Sequence, residues 1–223
     1  MSGSPSNWLD RLAHDLRGPL SPVQTAVFLL RDMRVAETER IELLDVIDRQ
    51  ASRLSGMMDE ISDWVRAENG RLLARREAVD LELLLEDTAA GLRTPPQVVI
   101  APGLQVVELH GDVLRLGQLM RCLFEYRLTR ADVTPARVEI SWAAPGRMRL
   151  VREIDGVDAA ELLADSILSA PHPEPLDEGL GLAMLIARAI AEAHGGELQA
   201  QAGTPGSLTL VLELPAQAAA SQG

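Results

Sequence analysis

Residues 8–34 read WLDRLAHDLRGPLSPVQTAVFLLRDMR. Apolar side chains recur at Leu9, Leu12, Leu16, Leu20, Val23, Val27, Leu30 and Met33. The steps are mostly three and four, the period of a helix with one apolar face. Asn7 is placed to cap its start, with Asp10 as a weak capping-box partner. A second stripe, Ile41, Leu44, Ile47, Ala51, Leu54, Met58, Ile61 and Val65, keeps the same steps and approaches a heptad seam. The link around Val35 to Thr38 is short, so the helices are expected to be antiparallel neighbours. Asn69-Gly70 closes the second helix with a pair that tolerates left-handed backbone. Two helices cannot cover both stripes, whereas two such hairpins can, as a four-helix bundle. The pattern therefore predicts a dimer; the other reading is that the hairpin packs on the rest of its own chain.

Beyond residue 70, strands and helices alternate. Residues 70–80 read as a linker and 79–93 as a helix with Leu81, Leu84, Leu85 and Ala89 on one face. Residues 98–100 and 106–109 are short strand candidates. Residues 112–130 form a helix burying Leu116, Leu119, Met120, Leu123 and Phe124. Residues 138–142 and 148–154 alternate like strands joined at Pro145-Gly146. A short helix at 158–168 precedes an apolar helix at 179–194, closed by Gly195-Gly196. Strands at 197–202 and 207–214 flank a turn at 203–206, and 216–223 reads as a frayed tail of small residues. Helices mixed with mainly antiparallel strands predict an α+β sandwich, one helical layer on one sheet.

Composition narrows the chemistry. The chain has 223 residues, with 33 acidic against 21 basic and a net charge of −12. Such a chain is poorly suited to nucleic acid or an anionic membrane. It contains no lysine, which excludes Schiff-base chemistry and a Walker-type phosphate lysine. Its only asparagines are Asn7 and Asn69. The single cysteine, Cys122, excludes an internal disulfide and a Cys-cluster metal site and reads as a buried small hydrophobe. His110, His172 and His194 lack metal-ligand spacing, so no metal is expected. His194 sits at a helix end, and Arg71, Arg75 and Arg76 read as a solvated linker cluster. Residues 1–6 lack the basic and apolar regions of a signal peptide, and no apolar run reaches the ~20 residues of a membrane span. The expectation is a soluble cytoplasmic protein.

The reactive groups concentrate in His14-Asp15-Leu16-Arg17-Gly18-Pro19-Leu20. Leu12, Leu16 and Leu20 face inward. His14 lies roughly 200° around the helix from Leu12 and is expected to project to solvent. A carboxylate beside an imidazole can fix its tautomer and raise the basicity of the other ring nitrogen. Pro19 has no N–H, and its ring crowds the carbonyl one turn back, so a bend is expected there. An exposed, carboxylate-supported imidazole suits attack on a phosphoryl group; a histidine of this kind standing alone reads first as a solvated surface residue.

His14 to Leu20 resembles the H-box of sensor histidine kinases, H-[DE]-L-R-x-P-L, with Gly18 at the variable position. The R-x-E-x-G of residues 66–70 and the V-D-L of 79–81 resemble the passage from that family's dimerisation hairpin to its ATPase-like domain. Residues 112–124 resemble the start of its N-box helix. Gly179-Leu180-Gly181-Leu182 resembles its glycine box, and His194-Gly195-Gly196 the end of the helix after that box. The resemblance implies a dimerisation and phosphotransfer hairpin at 7–69, a linker at 70–79, an ATPase-like sandwich at 80–215 and a tail at 216–223. It also implies that His14 is the phosphoacceptor, Asp15 its orienting or general-base partner, and Arg17 an outward charge able to steer an acidic receiver.

The nucleotide positions depart from the family. The two N-box asparagines fall at Cys122 and Tyr126, and no asparagine comes after Asn69. The N-box lysine is missing, leaving Arg127 or Arg130 as imperfect substitutes. The adenine-binding aspartate falls at Arg152, or at Glu153 in a register shifted by one. The phenylalanine box is missing, with Ile167-Leu168 nearby, and Pro171, Pro173 and Pro175 stiffen the lid. Gly179 and Gly181 remain; they either cradle phosphate or, as preferred, keep a loop packed after nucleotide binding was lost. Gly18 stands where the family's Thr or Asn orients a hydrolytic water, so phosphatase activity by that route is not expected.

The resulting expectation is a dimeric histidine phosphotransferase. His14 would relay a phosphoryl group between receiver-domain aspartates, downstream of a hybrid kinase. The receiver would supply Mg²⁺, and this chain would bind neither ATP nor another cofactor. Two alternatives stand beside it: a kinase that autophosphorylates His14 from ATP with a divergent site, and a regulatory binding module without phosphoryl chemistry.

Overall fold

A computed structural model describes residues 5–31, 36–102, 104, 107–127, 134–157, 160–172, 175–176, 179–204 and 206–218, leaving aside the side chains of 5–11 and 160–162. Helices α1 (Pro5–Leu30) and α2 (Glu37–Glu68) form the hairpin. The rest runs β1 (Glu77–Asp80), α3 (Leu81–Ala90), β2 (Gln97–Ile100), β3 (Val107–Gly111), α4 (Val113–Glu125), β4 (Arg137–Ala144), β5 (Arg147–Asp155), α5 (Ala160–Ser166), α6 (Ala183–Ala193), β6 (Glu197–Ala202) and β7 (Ser207–Ala218). The seven strands make one sheet in the order β1-β3-β7-β5-β4-β2, with β6 also paired to β7. All pairings are antiparallel except β2 with β4. Along β5 and β7, buried side chains alternate with less buried ones, as expected for a sheet with one covered face. Leu150, Leu210 and Leu212 join Leu119, Leu123, Phe124 and Ile190 of the helices in one core. The expected α+β sandwich and helical hairpin are both present.

Several boundaries differ from the sequence reading: α1 already includes Asn7, the expected cap, and α4 ends at Glu125 with Tyr126 outside it. Helix α1 passes through Pro19 and Pro22 and ends at Leu30 rather than Arg34. Much of the link between the helices, residues 32–35, lies outside the described residues. The expected linker and following helix conceal a strand. Residues 77–80 pair with β3, and Asp80 caps α3 through Leu83 N–H at 3.0 Å. Helix α6 starts at Ala183 rather than Gly179, because Gly181 has φ +75°. The tail reading fails for Ala216 to Ala218, which extend β7 along β3; Ala216 is buried. Val106, one end of a strand candidate, is outside the described residues, as are 128–130 at the end of the predicted fourth helix.

Asp112 organises the junction between hairpin and sandwich. Its Oδ1 accepts from Leu114 and Arg115 N–H, capping α4, and its Oδ2 accepts from Ala74 and Arg75 N–H. Burial opposes the charge, but these four donors hold the carboxyl below the usual range. The Arg76 guanidinium donates to Ala193 O at 2.7 Å. The linker is therefore fastened at Ala74 to Arg76, not simply solvated. The base of the hairpin also packs on its own chain, with Met57 buried and Leu12, Leu16, Ile61 and Trp64 against the core. Its upper seam does not: Leu20, Val27, Ile41 and Leu44 remain exposed. No helix among the described residues is long and apolar enough to cross a membrane.

His194 closes α6 and reaches across to α4. Its Nδ1–H donates to Ile190 O at 2.7 Å, and its Nε2 accepts from Asp112 N–H at 3.0 Å. This pairing requires the neutral ring. Burial and the Arg76 charge press its pKa below 6.5, although the Ile190 bond opposes them. The unfolded chain thus takes up a proton near pH 6.5 that the folded one resists. Stability is expected to be complete above that pH and to fall as pH drops below it. Urea titrations between pH 7.5 and 5 are expected to show a steeper loss for the native chain than for His194→Gln.

Candidate functional site

His14 projects from α1 with 87% of its side chain exposed. Its Nδ1 lies 3.3 Å from Asp15 Oδ1, so a proton on Nδ1 is shared with that carboxylate and the Nε2 lone pair points away from it. The pair is exposed and adds little stability; what it supplies is orientation. Arg17, one turn along the same helix, is exposed as well. A Cβ placed on Gly18 would meet nothing within 4 Å, so packing does not demand glycine there. Pro19 is buried beneath this surface. The three predicted chemical residues thus share one open face.

The second feature is a cleft of about 710 Å³ between α4, α6, His172, Pro175 and Leu176. Arg121, Cys122, Tyr126, His172, Gly181 and Met184 are among the residues around it. Cys122 is only half-buried: its thiol faces Ala183 O at 3.6 Å and Met184 Sδ at 3.5 Å. The Tyr126 hydroxyl is buried without a hydrogen-bond partner among the described residues. Burial, with the neighbouring Cys122, pushes it up to about 12.

On β5 the two residues left open by the sequence reading face opposite ways. Arg152 points inward and is 3% exposed, whereas Glu153 points outward and accepts from Ser207 Oγ. The Arg152 guanidinium donates to the carbonyls of Leu123 and Tyr126, at the C-terminal end of α4. A cation here satisfies carbonyls that the helix leaves open and complements its negative end. Arg127 does the same from outside, with Nη1 2.8 Å from Phe124 O and 3.1 Å from Tyr126 O. A donor-only guanidinium thus stands at one of the two positions considered for the family's acceptor carboxylate.

The glycine loop is occupied from within. Leu180 N–H and Leu182 N–H each donate to Glu60 of α2, at 3.0 Å to Oε1 and 3.0 Å to Oε2. Gly181 is held against the lid: a Cβ there would lie 2.3 Å from His172 O, and His172 N–H donates to Gly181 O at 2.9 Å. One turn beyond Glu60, Asp63 pairs with Arg115 at 2.7 Å and accepts from Gln118 at 2.8 Å. Burial opposes its charge, but those two partners hold its carboxyl below the usual range. Neither Glu60 nor Asp63 stands out in the sequence. The spacing Met57, Glu60, Trp64, Ala67 marks a second inward face beside the apolar seam, which was the available signal.

Residues 6–70 match the His Kinase A (phospho-acceptor) domain. The sensor protein ChvG of Rhizobium meliloti (strain 1021) is 29% identical over 236 residues, covering 94% of this chain and 40% of that protein. The sensor protein KdpD of Mycobacterium tuberculosis (strain H37Rv) is 26% identical over 224 residues, covering 93% and 26%. The chain therefore spans less than half the length of these curated relatives. Among solved structures, the Acinetobacter baumannii histidine kinase AdeS is similar in fold, with a TM-score of 0.64 at 17% identity over 91% of this chain and 97% of that one. Full-length ShkA in complex with AMPPNP gives 0.63 at 18%, over 98% and 47%.

Replacing Arg152 with leucine would leave the Leu123 and Tyr126 carbonyls without their buried donor. Arg152→Leu is expected to lower unfolding free energy by about 2–4 kcal/mol in urea titrations. A neutral or stabilising result would mean that the guanidinium does not hold the end of α4.

Proposed function

This chain belongs to the two-component histidine kinase family, and on that premise we propose that it is a phosphohistidine relay whose phosphoryl group does not come from ATP bound to itself. His14 Nε2 attacks the phosphorus of a receiver's phospho-aspartate, and the aspartate carboxylate leaves. Asp15 holds Nδ1–H and steadies the imidazolium that forms. A second receiver aspartate then attacks the phosphohistidine and frees the imidazole. Mg²⁺ on the receiver offsets the phosphoryl charge. Arg17 meets the acidic receiver site, and the ATPase-like domain serves as a docking platform.

The observation that carries this reading is Arg152. In the register that puts it at the adenine position it offers only donors, and it is already engaged with α4. Replacement of the aligned N-box asparagines by Cys122 and Tyr126 also removes oxygen ligands for Mg²⁺. Likeness points the other way. The curated relatives described above are sensor proteins, the solved neighbours are histidine kinases, and ShkA was solved with an ATP analogue. By likeness alone, autophosphorylation of His14 from ATP is the better supported alternative; the cleft is what favours transfer.

Labelled ATP with Mg²⁺, and separately a labelled phospho-receiver, distinguish the two. Label is expected on His14 from the receiver only, and none in His14→Ala. Labelling from ATP alone at a kinase's ordinary rate would falsify the relay and establish the kinase. Unchanged signalling by His14→Ala would identify a binding module instead.

We also propose that two hairpins pair along the seam that one chain leaves exposed at Leu20, Val27, Ile41, Leu44, Met58 and Val65. Light scattering is expected to give twice the 24.1 kDa chain mass, and Leu44→Asp the single mass. A monomeric native chain would overturn the pairing.

A further inference from the structure

The cleft between α4 and α6 stays open at about 710 Å³, a volume in the range of small-molecule sites, although the Leu180 and Leu182 amides beside it already donate to Glu60. Along α6 its wall is apolar: Met184, Ala187 and Ile190 are buried, and Leu176 adds a half-buried side chain. Three guanidiniums border it, with Arg93 and Arg121 exposed and Arg127 half-buried. Two carboxylates border it too, but Glu60 is engaged with the loop amides, which leaves the exposed Glu125 against three cations. In a chain of net charge −12 this is a local excess of positive charge. Tyr126 supplies the second observation. Its hydroxyl is buried beside Cys122 and has no hydrogen-bond partner among the described residues. Burying an unpaired hydroxyl is unfavourable, and burial keeps this phenol protonated past neutral pH, so it stands ready to donate.

We propose that the cleft is a site for a small amphipathic carboxylate, of the class of a medium-chain fatty acid, in place of a nucleotide. Its carboxylate accepts from the Tyr126 hydroxyl and lies near Arg121 and Arg127. Its tail packs along Met184, Ala187 and Ile190, whose aliphatic side chains suit a flexible chain better than a planar ring. Such a ligand requires nothing that this cleft lacks. It presents no base that needs an acceptor carboxylate, and its single charge needs neither Mg²⁺ nor the loop amides that Glu60 holds. This rests on the relay reading only in leaving the cleft free of ATP.

Isothermal titration calorimetry of the full chain with octanoate tests the site. Saturable binding is expected, and uncharged octanol is expected to bind roughly tenfold more weakly or less. Tyr126→Phe keeps the ring, removes only the hydroxyl, and is expected to bind octanoate roughly tenfold more weakly, the effect of losing a hydrogen bond to a charged group. Ala183→Trp fills the cleft from the start of α6 and is expected to bind none. Native affinity in Tyr126→Phe, equal affinity for octanol, or binding retained in a folded Ala183→Trp would each overturn the site. Titrations with ATP and Mg²⁺ keep the two proposals apart. Octanoate binding without ATP binding supports both. Binding of both ligands supports the site and overturns the ATP-independent relay. Binding of neither overturns the site and leaves the relay standing, and binding of ATP alone overturns both.

Discussion

A guanidinium buried in the middle of a sheet must find acceptors, and that requirement shapes this molecule. Arg152 sits on β5 with 3% exposure, and its acceptors are the carbonyls of Leu123 and Tyr126. Breaking a buried charge from its partners costs several kcal/mol, so strand and helix end move as one body. The cleft above is bounded by that helix end. The interaction that joins strand to helix end thus also holds Tyr126, one of the residues lining the cleft.

The same logic recurs around the cleft. His194 ties the end of α6 to the start of α4 only while neutral, and Asp112 ties that start to the linker. Glu60 supplies an anion to backbone donors at the head of α6. Groups of this chain meet the hydrogen-bonding needs of the strand, the loop and the helix ends. His14, by contrast, keeps its reactive nitrogen turned to solvent. The division between a closed interior and an open imidazole is what makes transfer from an outside donor the reading that geometry favours.

Much of this was legible in the residues. The helical stripes gave the hairpin because tertiary packing reinforces a 3.6-residue period, and the solvent position of His14 came from the same geometry. The H-box spacing singles out His14 within the stretch that matches the phospho-acceptor domain, and the missing asparagines and lysine are what mark the nucleotide positions as unusual. Strand β1 was hidden because four residues carry too little alternation to outweigh the helix beside them. The start of helix α6 was misplaced because only the backbone reveals that Gly181 takes a positive φ. The end of β7 looked like a tail because its small residues gain their value from pairing with β3, a partner far away in sequence. Glu60 was invisible because a carboxylate on a helix face reads as solvated until another element's N–H groups arrive against it.

The central claim is that this chain's own side chains occupy what a nucleotide would need. Isothermal titration calorimetry of the full chain with ATP and Mg²⁺ tests it most directly. No saturable heat is expected up to millimolar nucleotide. A saturable isotherm with a micromolar Kd would contradict it.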